Sequence, residues 1–489
     1  MESTSKLSKK YGLFTAICMV VGIVIGSGVF FKAQTILQKT DGDLPLGILA
    51  WIIGGVIMLV CILAFAMMAQ KYIKVNGIVD YAEATVGGKY GYYVGWFMTT
   101  IYYPTLTSVL SWLSARYTLV FITSCWPDFP LIIPAAEGGC VIGPECIALM
   151  MFYMCCAYFV NAISPKLAGK IQTSTTVIKL IPLGLMAVVG IIVGLVSPTH
   201  MLVNNFAAAQ DLLPSDASTS SLLLSAVCAT AFAYEGWIIA TSINSELKDA
   251  KRNLPIALIV GSLFCTVLYC FYIFAMSSLG DVDAIIGTWP LGEALPEMAF
   301  TNIFGKAIGT IVYLFIAIGC LGVMNGLIMG SCRGMYAVSV RNMGPRPHFY
   351  GDIDHQNGFV IKSSLIGLML GGFWYAWTSI MWMQGPDFMG GVHSNLWLAW
   401  EPDEICIINL YAMYIPMFIA LIAKDKGTNP FKRFILPILG VACCVFMCWC
   451  CWIGKGYQQV CGYLIFLAIV LFIGWLFQRA NAKRSPLET

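Results

Sequence analysis

Charge is what this chain lacks. Only 11% of its 489 residues are Asp, Glu, Lys or Arg, against 59% hydrophobic, and the mean hydropathy is +0.79. A soluble domain of this length needs a charged surface, so the composition excludes one and points to a polytopic helical membrane protein. Histidine is scarcer still, with four residues, and His200, His348, His355 and His393 all fall in segments read as loops. No His-Glu-x-x-His, Ser/Lys or paired-Asp arrangement sits within an apolar run, which argues against an intramembrane enzyme. No Cys/His spacing resembles a zinc site, so neither metal nor cofactor is expected, and no nucleic acid partner is expected. Linkers and low-complexity stretches are missing too, and residues 1–489 read as a single membrane domain.

Cysteine, by contrast, is plentiful at 19 residues. Most lie inside apolar runs (Cys155-Cys156, Cys443-Cys444, Cys450-Cys451), where a thiol behaves as a small buried hydrophobe. Cys125 and Cys140 bracket a loop and can pair if that face is oxidising. The N-terminus, with Lys6, Lys9 and Lys10 before an apolar run, mimics a secretory signal. The run is long and followed by many more, so it reads as retained.

A window of about 19 residues predicts twelve spans. These are Tyr11–Leu37, Leu46–Gln70, Gly91–Ser124, Cys146–Ser164, Leu167–Val196, Ser221–Asn244, Pro255–Leu279, Phe304–Val340, Val360–Met383, Ile405–Ala423, Phe431–Ile453 and Tyr457–Phe477. With the N-terminus inside, the cytoplasmic segments collect 22 of the 28 basic residues. Lys32, Lys39, Lys306 and Lys455 fall outside, while Arg116 and Lys179 lie in spans. The opposite loops are mostly acidic, so the positive-inside rule predicts cytoplasmic N- and C-termini in the cell membrane. Asn76 to Ala84 is amphipathic and Gly-bounded, suited to a short helix on or dipping into the inner surface.

Two spans are interrupted. In the first, Gly22, Gly26, Ser27 and Gly28 fall within seven positions, and glycine costs about 1 kcal/mol per residue in a helix interior. An unwound turn at mid-membrane is tolerated only where it is buried or lines a cavity. The same glycines also fit a small-xxx-small packing face. In the sixth span, Glu235-Gly236 sits between apolar halves, and an acid at that depth costs at least ~2.5 kcal/mol unless it meets a cavity or partner. Spans one and six are each the first of five. That is the layout of an inverted repeat over 11–196 and 221–423, with 431–477 as two further helices.

Gly26-Ser27-Gly28-Val29-Phe30 resembles the G-S-G-[IV]-F signature of the amino acid–polyamine–organocation superfamily, whose members have the LeuT-like fold. Phe232-Ala233-Tyr234-Glu235-Gly236-Trp237, followed by Glu246-Leu247-Lys248-Asp249-Ala250-Lys251-Arg252-Asn253-Leu254-Pro255, is similar to a stretch of its L-type amino acid transporter branch. Ala250 departs from that pattern, which has proline there. Asn76-Gly77 through Gly95-Trp96 also resembles that branch, and the likeness runs from about residue 10 to 440.

An amino acid offers a carboxylate and an ammonium, and broken helices offer the complement. Backbone N–H groups of Ser27, Gly28 and Val29 beside Gly26, with the Ser27 hydroxyl, suit the carboxylate. Carbonyls of Ile23 and Val24, and those around Phe232, Ala233 and Glu235, suit the ammonium. The resemblance implies the same assignment, with Phe232 as an aromatic gate. Glu235 has three readings: contact with a substrate cation, carriage of a coupling proton, or bracing of unwound backbone. Lys179 lies deep in span five. The resemblance implies that it sits beside the first broken helix in place of a sodium ion, which argues for exchange or proton linkage. Ile101, Tyr102, Thr105 and Asn325 are candidates for the side-chain pocket, and Pro104 for a kink.

The expectation is therefore an all-α membrane protein, a LeuT-like 5+5 inverted repeat with twelve helices. It would be a sodium-independent secondary transporter of small to mid-sized neutral L-amino acids. The alternatives are a polyamine or cationic amino acid carrier of the same fold, or a non-transporting sensor. The resemblance also brings in a heavy-chain partner for animal members, joined through an external cysteine. No cysteine here is matched to it, so the expected partners are substrate and lipid bilayer, with no obligatory subunit assumed.

Overall fold

The computed structural model describes residues 12–26, 28–71, 77–132, 143–196, 218–241, 247–279, 294–353, 360–380, 397–398, 400–424 and 429–482. Ser27, Cys140, His200, His355 and His393 lie outside them. The described residues are almost wholly helical, as apolar runs must be when no water is at hand to satisfy the backbone.

The chain opens with α1 (Leu13–Val24) and α2 (Gly28–Lys39), then α3 (Leu44–Lys71), α4 (Ile78–Thr85), α5 (Gly88–Phe97) and α6 (Tyr103–Cys125). Next come α7 (Pro144–Ile163), α8 (Pro165–Leu185), α9 (Ile191–Val196), α10 (Thr219–Ala233) and α11 (Trp237–Ala240). The remainder is α12 (Ala250–Leu279), α13 (Ala294–Phe304), α14 (Lys306–Ser339), α15 (Pro347–Tyr350), α16 (Ile361–Thr378), α17 (Pro402–Lys424), α18 (Leu436–Lys455) and α19 (Tyr457–Ala482). Among the described residues nine helices are long and apolar enough to cross a membrane, or ten if the bent pair α1–α2 is one span. The expected twelve also needs α5–α6 and α16, which are not among the nine.

The helices that touch explain the layering. α3 packs on α12, α6 on α14, α7 on α16, and α1–α2 on α10–α11. Each of the first four spans therefore lies against the span five places later. α19 stands at the rim, where Leu464, Ile465, Ile469 and Phe472 are about half exposed. A helix apolar on its outer face as well as its inner one belongs in lipid, and the chain is an integral multi-pass membrane protein.

Local departures have local causes. A π-helical turn at Met98–Tyr102 precedes Pro104, placing the expected irregularity one turn upstream of the proline. α13 was not expected; Gly305, at φ +84°, separates it from α14. His348, read as loop, sits in the short α15. The amphipathic segment after α3 is α4, whose Ile78, Val79, Tyr81 and Ala82 are buried. It is tucked against α5 and α17 rather than lying free on a surface.

Candidate functional site

Two interruptions face one another near the centre of the bundle. α1 ends at Val24, Ile25 turns extended (φ −72°, ψ 102°), and α2 resumes at Gly28 with its axis bent by 51°. α10 ends at Ala233, and Gly236 takes φ +106°, a conformation glycine adopts freely, before α11 starts. The contacts between the two breaks are reciprocal. A methyl group at Gly28 would lie 2.7 Å from the Ala233 Cα, and one at Gly236 would lie 3.0 Å from the Ile23 carbonyl oxygen. Each break therefore needs its glycine so that the other can approach.

Between them lies a cavity lined from break one by Ile23, Val24, Gly26 and Gly28, and from break two by Phe232, Glu235, Gly236 and Ile239. Tyr102, Leu106, Leu110, Val323, Leu327 and Ile407 complete its apolar walls. Its core offers ≈ 30 Å³ of space for water centres. One water takes about 10–15 Å³ of such space, so the cavity is closed down to a couple of waters and its walls must part for anything larger.

The freed backbone is partly spoken for. Buried Lys179 donates from Nζ to the Gly22 carbonyl oxygen at 2.6 Å. The Tyr269 hydroxyl donates to the Val24 carbonyl oxygen at 3.0 Å. Glu235 is buried, and its Oε1 accepts from the Tyr102 hydroxyl at 2.5 Å. Its Oε2 has no hydrogen-bond partner among the described residues.

This geometry, two broken helices around a small and mostly apolar cavity, can be set beside known sequences. A family profile described as amino acid permease matches residues 11–475. The chain belongs to the amino acid permease family. It is 27% identical over 446 residues to the serine/threonine exchanger SteT of Bacillus subtilis, covering 89% of each chain. It is also similar to the mouse Asc-type amino acid transporter 1, with 28% identity over 67% of this chain and 57% of the relative. The human large neutral amino acids transporter small subunit 2 matches at 27% identity, over 68% of this chain and 58% of the relative. The family and these relatives are transporters.

With the family in view, the expected site residues divide into those the cavity gathers and those it does not. Ile23, Val24, Gly26, Gly28, Phe232, Glu235 and Tyr102 line it. Val29, Ala233, Ile101 and Thr105 are buried in neighbouring positions but do not. Asn325 does not line it either. Its Nδ2 donates to the Ala168 carbonyl at 3.0 Å and its Oδ1 accepts from Asn161 at 2.8 Å, so it clamps α14 to α7 and α8. At about 100° per residue, a helix that turns Val323 and Leu327 to the cavity turns Asn325 away.

The sequence reading missed a group of charges. Lys32 on α2 bridges Asp403, at 3.0 Å, and Glu404, both in the first turn of α17. Lys455, at the end of α18, pairs with Glu404 at 2.6 Å and with Glu401. The apolar windows Ile405–Ala423 and Phe431–Ile453 stop short of Asp403, Glu404 and Lys455. α17 instead begins at Pro402 and α18 runs to Lys455, so all three are helical and buried. The available signal was the run Glu401-Pro402-Asp403-Glu404: a proline with acids behind it is a helix start. At the far end of α14, Arg341 pairs with Asp80 and, at 3.1 Å, with Glu83 of α4.

Proposed function

We propose that the chain is a secondary transporter of small to mid-sized neutral L-amino acids, working by alternating access and independent of sodium. The observation that carries this reading is the meeting of the two breaks on one cavity. There, peptide N–H groups at the start of α2 would meet a carboxylate, and carbonyls at the ends of α1 and α10 an ammonium. Ser27, Gly28 and Val29 would hold the carboxylate, and Phe232 would close over the substrate. Lys179 supports sodium independence, since its ammonium already occupies a carbonyl of the break. It also supports exchange or proton linkage as the driving mode. The relatives' names, a serine/threonine exchanger and neutral amino acid transporters, favour neutral substrates.

Pairing of each early span with the span five later supports an inverted repeat over 11–196 and 221–423, with 431–477 appended. Basic loop residues support cytoplasmic termini in the cell membrane. No partner subunit is included in this reading.

Glu235 supports a second reading. A buried carboxylate oxygen beside the cavity without a partner among the described residues suits a cationic amino acid or polyamine. Efflux and exchange from proteoliposomes, with a panel of labelled amino acids at two proton gradients and no sodium, separates the cases. Saturable exchange of neutral amino acids is expected. Flux confined to cationic substrates and lost in Glu235→Gln supports the second reading. Thermal stabilisation by an amino acid with no flux points to a sensor and overturns both.

A further inference from the structure

The hairpin of α17 and α18 carries a second hollow, on the outside of the bundle, that shares no residue with the central cavity. It is a groove of ≈ 610 Å³ whose walls include Ile419 and Ile422 of α17 and Ile438, Ala442, Val445 and Trp449 of α18. The four α18 residues recur at helical spacing and so form one stripe, and Ile438, Val445 and Trp449 are about half exposed. From Ile438 to Trp449 the stripe rises about 16–17 Å at 1.5 Å per residue. That is about half of a ~30 Å hydrocarbon core, the depth of one leaflet. An apolar groove of this length suits a lipid chain, and the groove's end decides which lipid.

That end is cationic. Arg433 stands in the π-helical turn Phe431–Ile435 that leads into α18. Its Nε donates to the carbonyl oxygen of Ile422, a groove residue, at 3.3 Å, and its guanidinium lies 4.7 Å from the centre of the Phe434 ring. The cation is therefore tied to the mouth of the groove by one of its five N–H donors, with a fork of terminal nitrogens still to use. Lys432 is exposed beside it. Lys424 at the close of α17 donates to the Ala84 carbonyl at 3.1 Å, which places this mouth at the α4 end of the bundle. Other cations of that end meet acids, as Arg341 does Asp80 and Lys362 does Asp352. Arg433 and Lys432 make no ion pair among the described residues.

We propose that the groove between α17 and α18 binds an anionic phospholipid, with one acyl chain along Ile438 to Trp449 and the phosphate on Arg433 and Lys432. A guanidinium fork beside an ammonium matches a phosphate diester in charge and geometry, and basic pockets between membrane helices take such headgroups. A sterol offers a hydroxyl and leaves both cations unmatched. A second copy of the chain in the same membrane orientation brings the same cations to the same depth.

Native mass spectrometry of the full-length chain in neutral detergent tests this. The chain is titrated with phosphatidylglycerol, with phosphatidylcholine of the same acyl chains, and with cholesterol, and retained lipid and oligomeric state are read together. Phosphatidylglycerol is expected to be retained in preference, one molecule per chain. Lys432→Gln with Arg433→Gln is expected to weaken its retention about thirtyfold and to leave phosphatidylcholine little changed. Ala442→Trp fills the groove and is expected to weaken both phospholipids; should it not fold, Val445→Trp fills the same space and carries the same expectation. Equal retention of the two phospholipids, a preference undiminished in the double glutamine variant, or retention untouched by the tryptophan overturns the proposal. Preferred retention of cholesterol gives the groove to a sterol, and a dimer dissolved by Ala442→Trp gives it to a second copy; either overturns the proposal as well. Lipid retention is read without substrate or flux, so its failure is seen apart from any failure of the transport reading.

Discussion

The two ends of the bundle are each fastened by ions, but in different media. At the Lys32 end every member except Glu401 is withdrawn from solvent, and two cations face three carboxylates across three helices. At the Arg341 end one guanidinium holds Asp80 and Glu83, with Asp80 7%, Arg341 16% and Glu83 35% exposed. Interactions buried this way gain from low dielectric and are costly to break from one side, whereas a partly exposed arm such as Arg341–Glu83 is screened more. The lesson is asymmetry: the ion network at one end is drier than the one at the other, with the small cavity between them.

That comparison can be broken by substitution, and the largest effect is expected at the dry end. Lys32→Met leaves Asp403 and Glu404 short of a partner and should destabilise the purified chain by about 3–5 kcal/mol, read as a fall in melting temperature in detergent. Between the ends, Lys179→Met strips the Gly22 carbonyl of its ammonium. The expected cost is about 1–3 kcal/mol, with exchange lost more severely than stability, measured by proteoliposome flux beside thermal melting. Gly28→Ala drives a methyl into the Ala233 backbone and should cost about 1–3 kcal/mol, with substrate exchange abolished. Arg341→Gln, which strips buried Asp80 and half-exposed Glu83 of their partner, should cost about 1–2 kcal/mol. Its effect should shrink somewhat in high salt while that of Lys32→Met does not, since the Glu83 arm is partly exposed and the Lys32 pairs are not. Equal salt responses at both ends would erase the asymmetry.

Much of this architecture could be read from the chain because its signals are local. Apolar windows mark the helices, since each must satisfy its own backbone in lipid, and Gly22 to Gly28 and Glu235-Gly236 mark the two breaks directly. Lys179 stood out as a lone cation in an apolar run, and a resemblance placed it beside the first broken helix, where its ammonium meets Gly22. What stayed hidden depends on distance along the chain. Lys32 and Glu404 are 372 positions apart, and no pattern within a window couples them. The same windows exclude charge by construction, so Asp403, Glu404 and Lys455 were trimmed from the helices that carry them. The place of Asn325 was hidden for another reason: a polar residue in a span can serve a cavity or a neighbouring helix, and only the rotation of α14 decides. The apolar walls, Leu106, Leu110, Val323, Leu327 and Ile407, carry no mark that separates them from ordinary packing.

The reciprocal seating of Gly28 on Ala233 and Gly236 on Ile23 has a mechanical consequence. With Ala233, Phe232 and Ile23 pressed against the two glycines, the interrupted helices would mesh like a pair of cogs, and a swivel of one would drive the other. Timing between the two doors of the carrier would then be set by main-chain geometry and need no messenger.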